Sequence, residues 1–301
     1  MAERNGILCI DKPEGFTSFD VVAKLRGIAG TRRVGHAGTL DPMATGVLPL
    51  FFGRATKACD ILPRQDKRYL ADFKLGVITD TQDSTGKVLC ERDPSAVTEA
   101  RAREAAARFV GEIMQVPPMY SALRVKGKRL YELARQGVEV ERKPRPVTIY
   151  SLDFLSYDNW THTCRIDVHC SKGTYIRTLV ADIGEALGCG AVMTGLRRTM
   201  AVGFTLADCV TIDTAQRLAQ EGRFGEALLP VGAAFASLPK ARLSEKQARM
   251  FANGVRLDPA RVACPKGEGP FAVCRGEDLF LGIAEVKNGE FRMVKLFTLE
   301  V

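Results

Sequence analysis

Gly35-His36-Ala37-Gly38-Thr39-Leu40-Asp41-Pro42-Met43-Ala44-Thr45-Gly46-Val47-Leu48-Pro49 encloses one carboxylate in a stretch punctuated by three glycines and two prolines. Glycine admits backbone conformations that other residues avoid and lets a ligand come close, while Pro42 fixes its own φ and restricts Asp41 before it. Such a loop holds Asp41 in a set direction. Asp-Pro also initiates ordinary turns, and by itself the pair reads first as a turn.

Outward from this loop, strand and helix patterns alternate. Residues 7–10 form a short apolar strand. Thr17 or Ser18 caps a helix reaching about residue 28, with Val21, Val22 and Leu25 as its apolar stripe. Downstream, Tyr69, Ala71, Phe73 and Leu75 alternate with Leu70, Asp72 and Lys74, the period of a half-buried strand with Tyr69 on its covered face. A helix is predicted over 98–110 and a strand over 147–157. Cys164, Ile166, Val168 and Cys170 alternate as another strand, and Thr174 is expected to cap a helix whose Ile176, Leu179, Ile183 and Leu187 share a face before Gly188. Past residue 238 come a helix at 244–253 and Gly-bounded strands at 271–274, 279–286 and 291–301. Strands mixed with helices indicate an α+β fold.

Composition sets independent bounds. The 301 residues suffice for one large domain and a small one. A formal net charge of +8 favours a polyanionic partner, although moderately basic proteins without one are common. Nine cysteines, an odd number with no C-x-x-C pair, argue against a disulfide framework and a zinc site, so a reducing compartment is expected. The first residues lack the apolar region of a signal peptide, and no run approaches the roughly 18 apolar residues of a membrane span. A cytoplasmic protein without membrane association is expected.

The motif around Asp41, read as GHAGTLDPMATGVLP, resembles the catalytic motif of the TruB-type tRNA pseudouridine synthases. The resemblance continues, in family order over about residues 6–212, in Gly6-Ile7-Leu8-Cys9-Ile10-Asp11-Lys12-Pro13, Lys67-Arg68-Tyr69, Cys170-Ser171-Lys172-Gly173-Thr174-Tyr175-Ile176-Arg177-Thr178 and Gly195-Leu196-Arg197-Arg198. It implies a mixed β-sheet pseudouridine synthase catalytic domain with flanking helices over 1–236, carrying a basic insertion at about 120–146. A small β-rich, PUA-like RNA-binding domain would follow over 237–301. A structural cap remains an alternative for that last part.

The implied activity is isomerisation of uridine 55 in the T-loop of tRNA after the base is flipped out. The reaction breaks an N-glycosidic bond and makes a carbon–carbon bond with no net redox change, so neither a metal nor a cofactor is expected. The resemblance makes Asp41 the nucleophile, acting at the sugar C1′, at uracil C6 or through a glycal. It makes Arg177 the partner that keeps Asp41 ionised, and Tyr69 the ring that stacks on the uracil. Leu196 would pack on the other face of the base, His36 would fill or guard the gap it leaves, and Lys12 and Tyr175 would line the site floor. Without the resemblance, Tyr69 and Leu196 would read as core residues and Arg177 as an ordinary helix-face arginine. His162 and His169 have no metal-ligand spacing and receive no role. The departure at Ala37, where threonine is frequent in the family, leaves the nucleophile untouched.

Between residues 120 and 146 stand Arg124, Lys126, Lys128, Arg129, Arg135, Arg142, Lys143 and Arg145 against Glu132, Glu139 and Glu141. A solvated charged helix is the usual reading of such a run. The resemblance favours a thumb that closes over the tRNA T-arm, with Arg142 and Lys143 among its phosphate contacts and Tyr120, Tyr131 and Pro117-Pro118 as its frame. The implied partner is tRNA, with a monomeric enzyme and no guide RNA. A relative aimed at another RNA and an RNA-binding protein without chemistry are the alternatives. A glycosidase is less attractive, because no second carboxylate lies nearby in the motif.

Overall fold

The structure, a computed structural model, describes residues 4–125, 127–276 and 279–298. The chain forms two compact units. The first holds residues up to Pro42, Gly46–Gln65 and the chain from Ala201 onward; the second holds Met43–Thr45 and Asp66–Met200.

In the first unit, the strand Gly6–Lys12 runs antiparallel to Thr45–Phe52, from Gly6 opposite Phe52 to Lys12 opposite Gly46. It pairs in parallel with Cys209–Val210. Both long strands are almost wholly buried, which explains their continuous apolar runs. One face packs Leu8, Ile10, Leu48, Leu50 and Phe52 against Val21, Val22 and Leu25 of the helix Ser18–Ala29. That helix starts on a capping box: the Asp20 amide donates to Thr17 Oγ1 at 3.0 Å, and the Thr17 amide donates to Asp20 Oδ2 at 2.9 Å. The opposite face packs Ile7, Val47 and Phe51 with Phe235, Ala272, Ile283 and Phe297.

Residues 240–298 form a four-stranded sheet in the order Lys240–Leu243, Phe271–Arg275, Leu279–Lys287, Glu290–Leu296, parallel at the first pair and antiparallel after it. The helix Glu245–Ala252 buries Ala248 and Phe251 against this sheet. The first of these strands is absent from the sequence expectation because its burial alternates over only four residues. The last strand ends at Leu296, short of the expected 301; residues 299–301 lie outside the described residues.

The second unit is a sheet in the order Ala191–Ala201, Lys67–Leu75, Thr163–Cys170, Arg145–Asp158, Gly111–Gln115, and the last three of these pairings are antiparallel. Along Lys67–Leu75, Tyr69, Ala71, Phe73 and Leu75 are buried in alternation, as the pattern predicts. The helix expected over 98–110 stops at Ala107, where the Phe109 and Val110 amides turn back onto the Ala106 and Ala107 carbonyls. The helix Ile176–Ala186 buries Ile176, Leu179 and Ile183.

Thr174 does not cap that helix. Its hydroxyl donates to the Ser171 carbonyl at 2.9 Å, and Tyr175 occupies the cap position. The buried Gln115 side chain supplies the order instead: its Oε1 accepts from the Tyr175 amide at 2.8 Å, and its Nε2 donates to the Tyr175 carbonyl at 3.0 Å.

Residues 120–146 fold as a small hairpin, Arg124–Val125 with Lys128–Arg129, followed by the helix Leu130–Arg135. Lys126 lies outside the described residues. The guanidinium groups of Arg129 and Arg135 lie 5.8 and 5.4 Å from the Tyr131 ring centroid, and Arg129 also donates to the Tyr131 hydroxyl at 2.9 Å.

Candidate active site

The motif around Asp41 is not all loop. Val34–His36 is a short strand paired antiparallel with Thr45–Phe52, placing half-buried His36 opposite Leu50, and the Ala37 amide extends the pairing to the Pro49 carbonyl at 3.2 Å. The chain then leaves the sheet and returns through Gly38 and Gly46, whose φ angles of 98° and 101° suit glycine.

Between these turns both neighbours of Asp41 are held. Ser18 Oγ, buried at the start of its helix, accepts from the Leu40 amide at 2.8 Å and donates to the Leu40 carbonyl at 3.2 Å. The Pro42 carbonyl accepts from the Gly15 amide at 2.8 Å and from Lys12 Nζ at 3.2 Å. Lys12 is fully buried, and its ammonium also donates to the carbonyls of Pro13 at 2.8 Å and Phe16 at 2.6 Å. Through these carbonyls the cation ties the end of its strand to the loop that carries Asp41. The half-buried Asp41 carboxylate thus projects from a backbone fixed on both sides.

Replacing Lys12 with Met removes these donors while keeping the bulk. Hydrogen bonds to a charged group contribute about 1.5–3 kcal/mol each. We expect Lys12→Met to lower turnover at least about tenfold through disorder of the Asp41 loop. Full turnover with an unchanged Tm would contradict this.

In the second unit, Arg177 lies in the first turn of its helix and is 4 % exposed. Its Nη1 donates to the Thr81 carbonyl at 2.9 Å and to Asp83 Oδ2 at 3.3 Å, and its Nη2 donates to the Tyr120 carbonyl at 2.9 Å. Asp83, also buried, was missed in the sequence. Its Oδ1 accepts from Thr81 Oγ1 at 2.8 Å, Thr85 Oγ1 at 2.6 Å and the Thr85 amide at 3.0 Å. A buried guanidinium and carboxylate satisfied in this way form a stiff support for whatever the rest of the arginine fork faces. Thr178 reinforces it by donating to Gln82 Oε1 at 2.8 Å.

Tyr69 is 6 % exposed on its strand, Leu196 is half-buried on Ala191–Ala201, and Tyr175 is half-buried at its clamped cap. Arg142 is not a freely presented cation: Nη2 pairs with Glu139 at 2.9 Å and Nη1 donates to the Pro117 carbonyl at 3.3 Å. Lys143 and Arg145 are exposed.

The fold is that of solved pseudouridine synthase structures. The Cbf5 fold in the crystal structure of a Cbf5-Nop10-Gar1 complex superposes with a TM-score of 0.76 at 26 % identity, covering 98 % of this chain and 85 % of that one. A structure of an H/ACA RNP bound to a substrate RNA containing 2′-deoxyuridine shares the fold, with a TM-score of 0.75 at 24 % identity over 98 % of this chain and 86 % of that one.

In sequence, residues 26–176 match the TruB family pseudouridylate synthase N-terminal domain, and residues 177–236 match the tRNA pseudouridylate synthase B C-terminal domain. The chain is 42 % identical over 294 residues to tRNA pseudouridine synthase B of Dehalococcoides mccartyi (strain CBDB1), covering 97 % of this chain and 96 % of the relative. It is 47 % identical over 266 residues to the protein of that name from Ralstonia pickettii (strain 12J), covering 88 % and 83 %. The chain belongs to the TruB family of pseudouridylate synthases.

Proposed function

We propose that this protein isomerises uridine to pseudouridine at position 55 in the T-loop of tRNA, with Asp41 as nucleophile on a flipped-out base. The observation that carries this reading is the bracing of Leu40 and Pro42 by Ser18, Gly15 and Lys12, which fixes the backbone on both sides of one carboxylate. Asp41 engages the uridine as the N1–C1′ bond breaks. The freed uracil turns so that C5 faces C1′, the C5–C1′ bond forms, and the C5 hydrogen leaves as a proton while N1 gains one. Tyr69 stacks on the uracil and Leu196 packs on its other face; Arg177 favours the ionised carboxylate. His36 occupies the gap left by the base, Tyr175 lines the floor, and the PUA-like module extends the RNA footprint. The enzyme acts as a monomer in the cytoplasm without a guide RNA.

The experiment is release of tritium from tRNA carrying [5-³H]uridine, since only formation of the carbon–carbon bond frees that hydrogen. Stoichiometric release at one site per tRNA is expected; none would refute the activity.

For the basic insertion, Lys143 and Arg145 are the exposed cations suited to phosphate. Their joint change to Gln should weaken tRNA binding and reduce the slope of log affinity against log salt by about one to two. An unchanged slope would remove them from the RNA interface. Arg142→Gln should act differently, loosening the insertion at Pro117 with little change in slope.

A further inference from the structure

Lys67 opens the strand Lys67–Leu75 two residues before Tyr69, so the pleat puts both side chains on one face. Its register partner is Cys170. The ammonium is half-buried, and among the described residues it makes no hydrogen bond and no ion pair. Asp66, the carboxylate close enough to act on it, is engaged by His169 Nε2 at 2.7 Å. The Cys170 thiol, pushed up to about 11 by burial, is neutral at pH 7 and supplies no anion. The other groups acting on the Lys67 ammonium are two further cations, fully buried Arg198 and exposed Lys172. Burial, and then repulsion from Arg198 and Lys172, lower the Lys67 pKa. Folding therefore holds a partly dehydrated, unpaired ammonium beside like charges, which disfavours the folded state and which an arriving anion relieves.

We propose that Lys67, with exposed Lys172 and buried Arg198 as further cations, seats one backbone phosphate of the RNA, that of a nucleotide flanking the base held at Tyr69. The proposal rests on the functional reading above. A phosphate diester of the substrate fits because Lys67 shares its face with Tyr69: the base that stacks on the ring carries its own phosphates to that edge. Lys172 is exposed to solvent, and an ammonium takes a phosphate as a point charge without needing a fixed fork.

Lys67→Met keeps the length of the side chain and removes its charge. Because the charge is unfavourable in the free protein, the variant should melt about 2–4 °C higher than wild type while binding tRNA about tenfold more weakly. That opposition is not expected of a residue with a merely structural role. Binding of T-arm hairpins with a neutral methylphosphonate at single positions then locates the seat. In wild type, one position beside the target uridine should weaken binding about tenfold, and in Lys67→Met the same replacement should cost less than about twofold. A lower Tm, or methylphosphonate penalties equal in both proteins at every position, would overturn the proposal. The wild-type control separates the two readings: a wild type that forms no pseudouridine in tRNA overturns the functional reading and this inference with it. An active wild type with additive penalties overturns this inference alone.

Discussion

Asp41→Asn is expected to lower single-turnover pseudouridine formation at least ~10,000-fold while tRNA affinity stays within about threefold of wild type. The amide is nearly isosteric with the carboxylate, and the bonds that frame the loop run through Leu40, Pro42, Ser18, Gly15 and Lys12, so the substitution leaves the frame in place. The substitution removes the charge and with it the proposed nucleophile. Parallel measurement of rate and affinity checks this. A variant that turns over at a tenth of the normal rate would remove Asp41 as nucleophile, and loss of affinity equal to loss of rate would make it a binding residue.

The second large effect is expected at Asp83. Asp83→Ala removes one carboxylate partner of the buried Arg177 guanidinium and also the carboxylate acceptor of the Thr81 and Thr85 hydroxyls. Breaking a buried ion pair from one side costs about 3–5 kcal/mol, far more than the pair contributes relative to an apolar replacement of both. Urea unfolding should show a loss of that size. Turnover should fall by at least about a hundredfold at temperatures where the variant is still folded, because Arg177 loses the support that aims it. The milder Asp83→Asn keeps an acceptor for the threonines and should retain most of the stability while still losing turnover. An Asp83→Ala variant of native stability and rate would show that the buried pair supports neither the fold nor the site.

How far each residue was legible in the sequence follows from the range of the interaction that defines it. The strand Lys67–Leu75 and the helix Ser18–Ala29 were readable because alternation and the Thr17 cap are local. The glycine- and proline-punctuated turn around Asp41 was readable, but punctuation alone reads as an ordinary turn, and it is the resemblance that singles out the carboxylate. The resemblance implied a floor position for Lys12; its buried clamp was not readable, since the Pro42 carbonyl that it reaches lies 30 residues away. Asp83 sits in Thr81-Gln82-Asp83-Ser84-Thr85, which reads as a solvated turn; its arginine lies 94 residues away and leaves no local signal. The Thr174 cap failed for a similar reason: Gln115, 60 residues upstream, orders the start of the helix through the Tyr175 backbone. Lys67 stood inside a recognised block, but its burial beside Tyr69 on one strand face without a hydrogen-bond partner among the described residues is visible only in the fold.

The most direct measurement is to map pseudouridine on unmodified tRNA after treatment with wild-type protein or Asp41→Asn, using a chemical adduct that stops reverse transcription. The account predicts one stop, at position 55 of the T-loop, with wild type and none with Asp41→Asn. A stop elsewhere, or one that persists in Asp41→Asn, would contradict it.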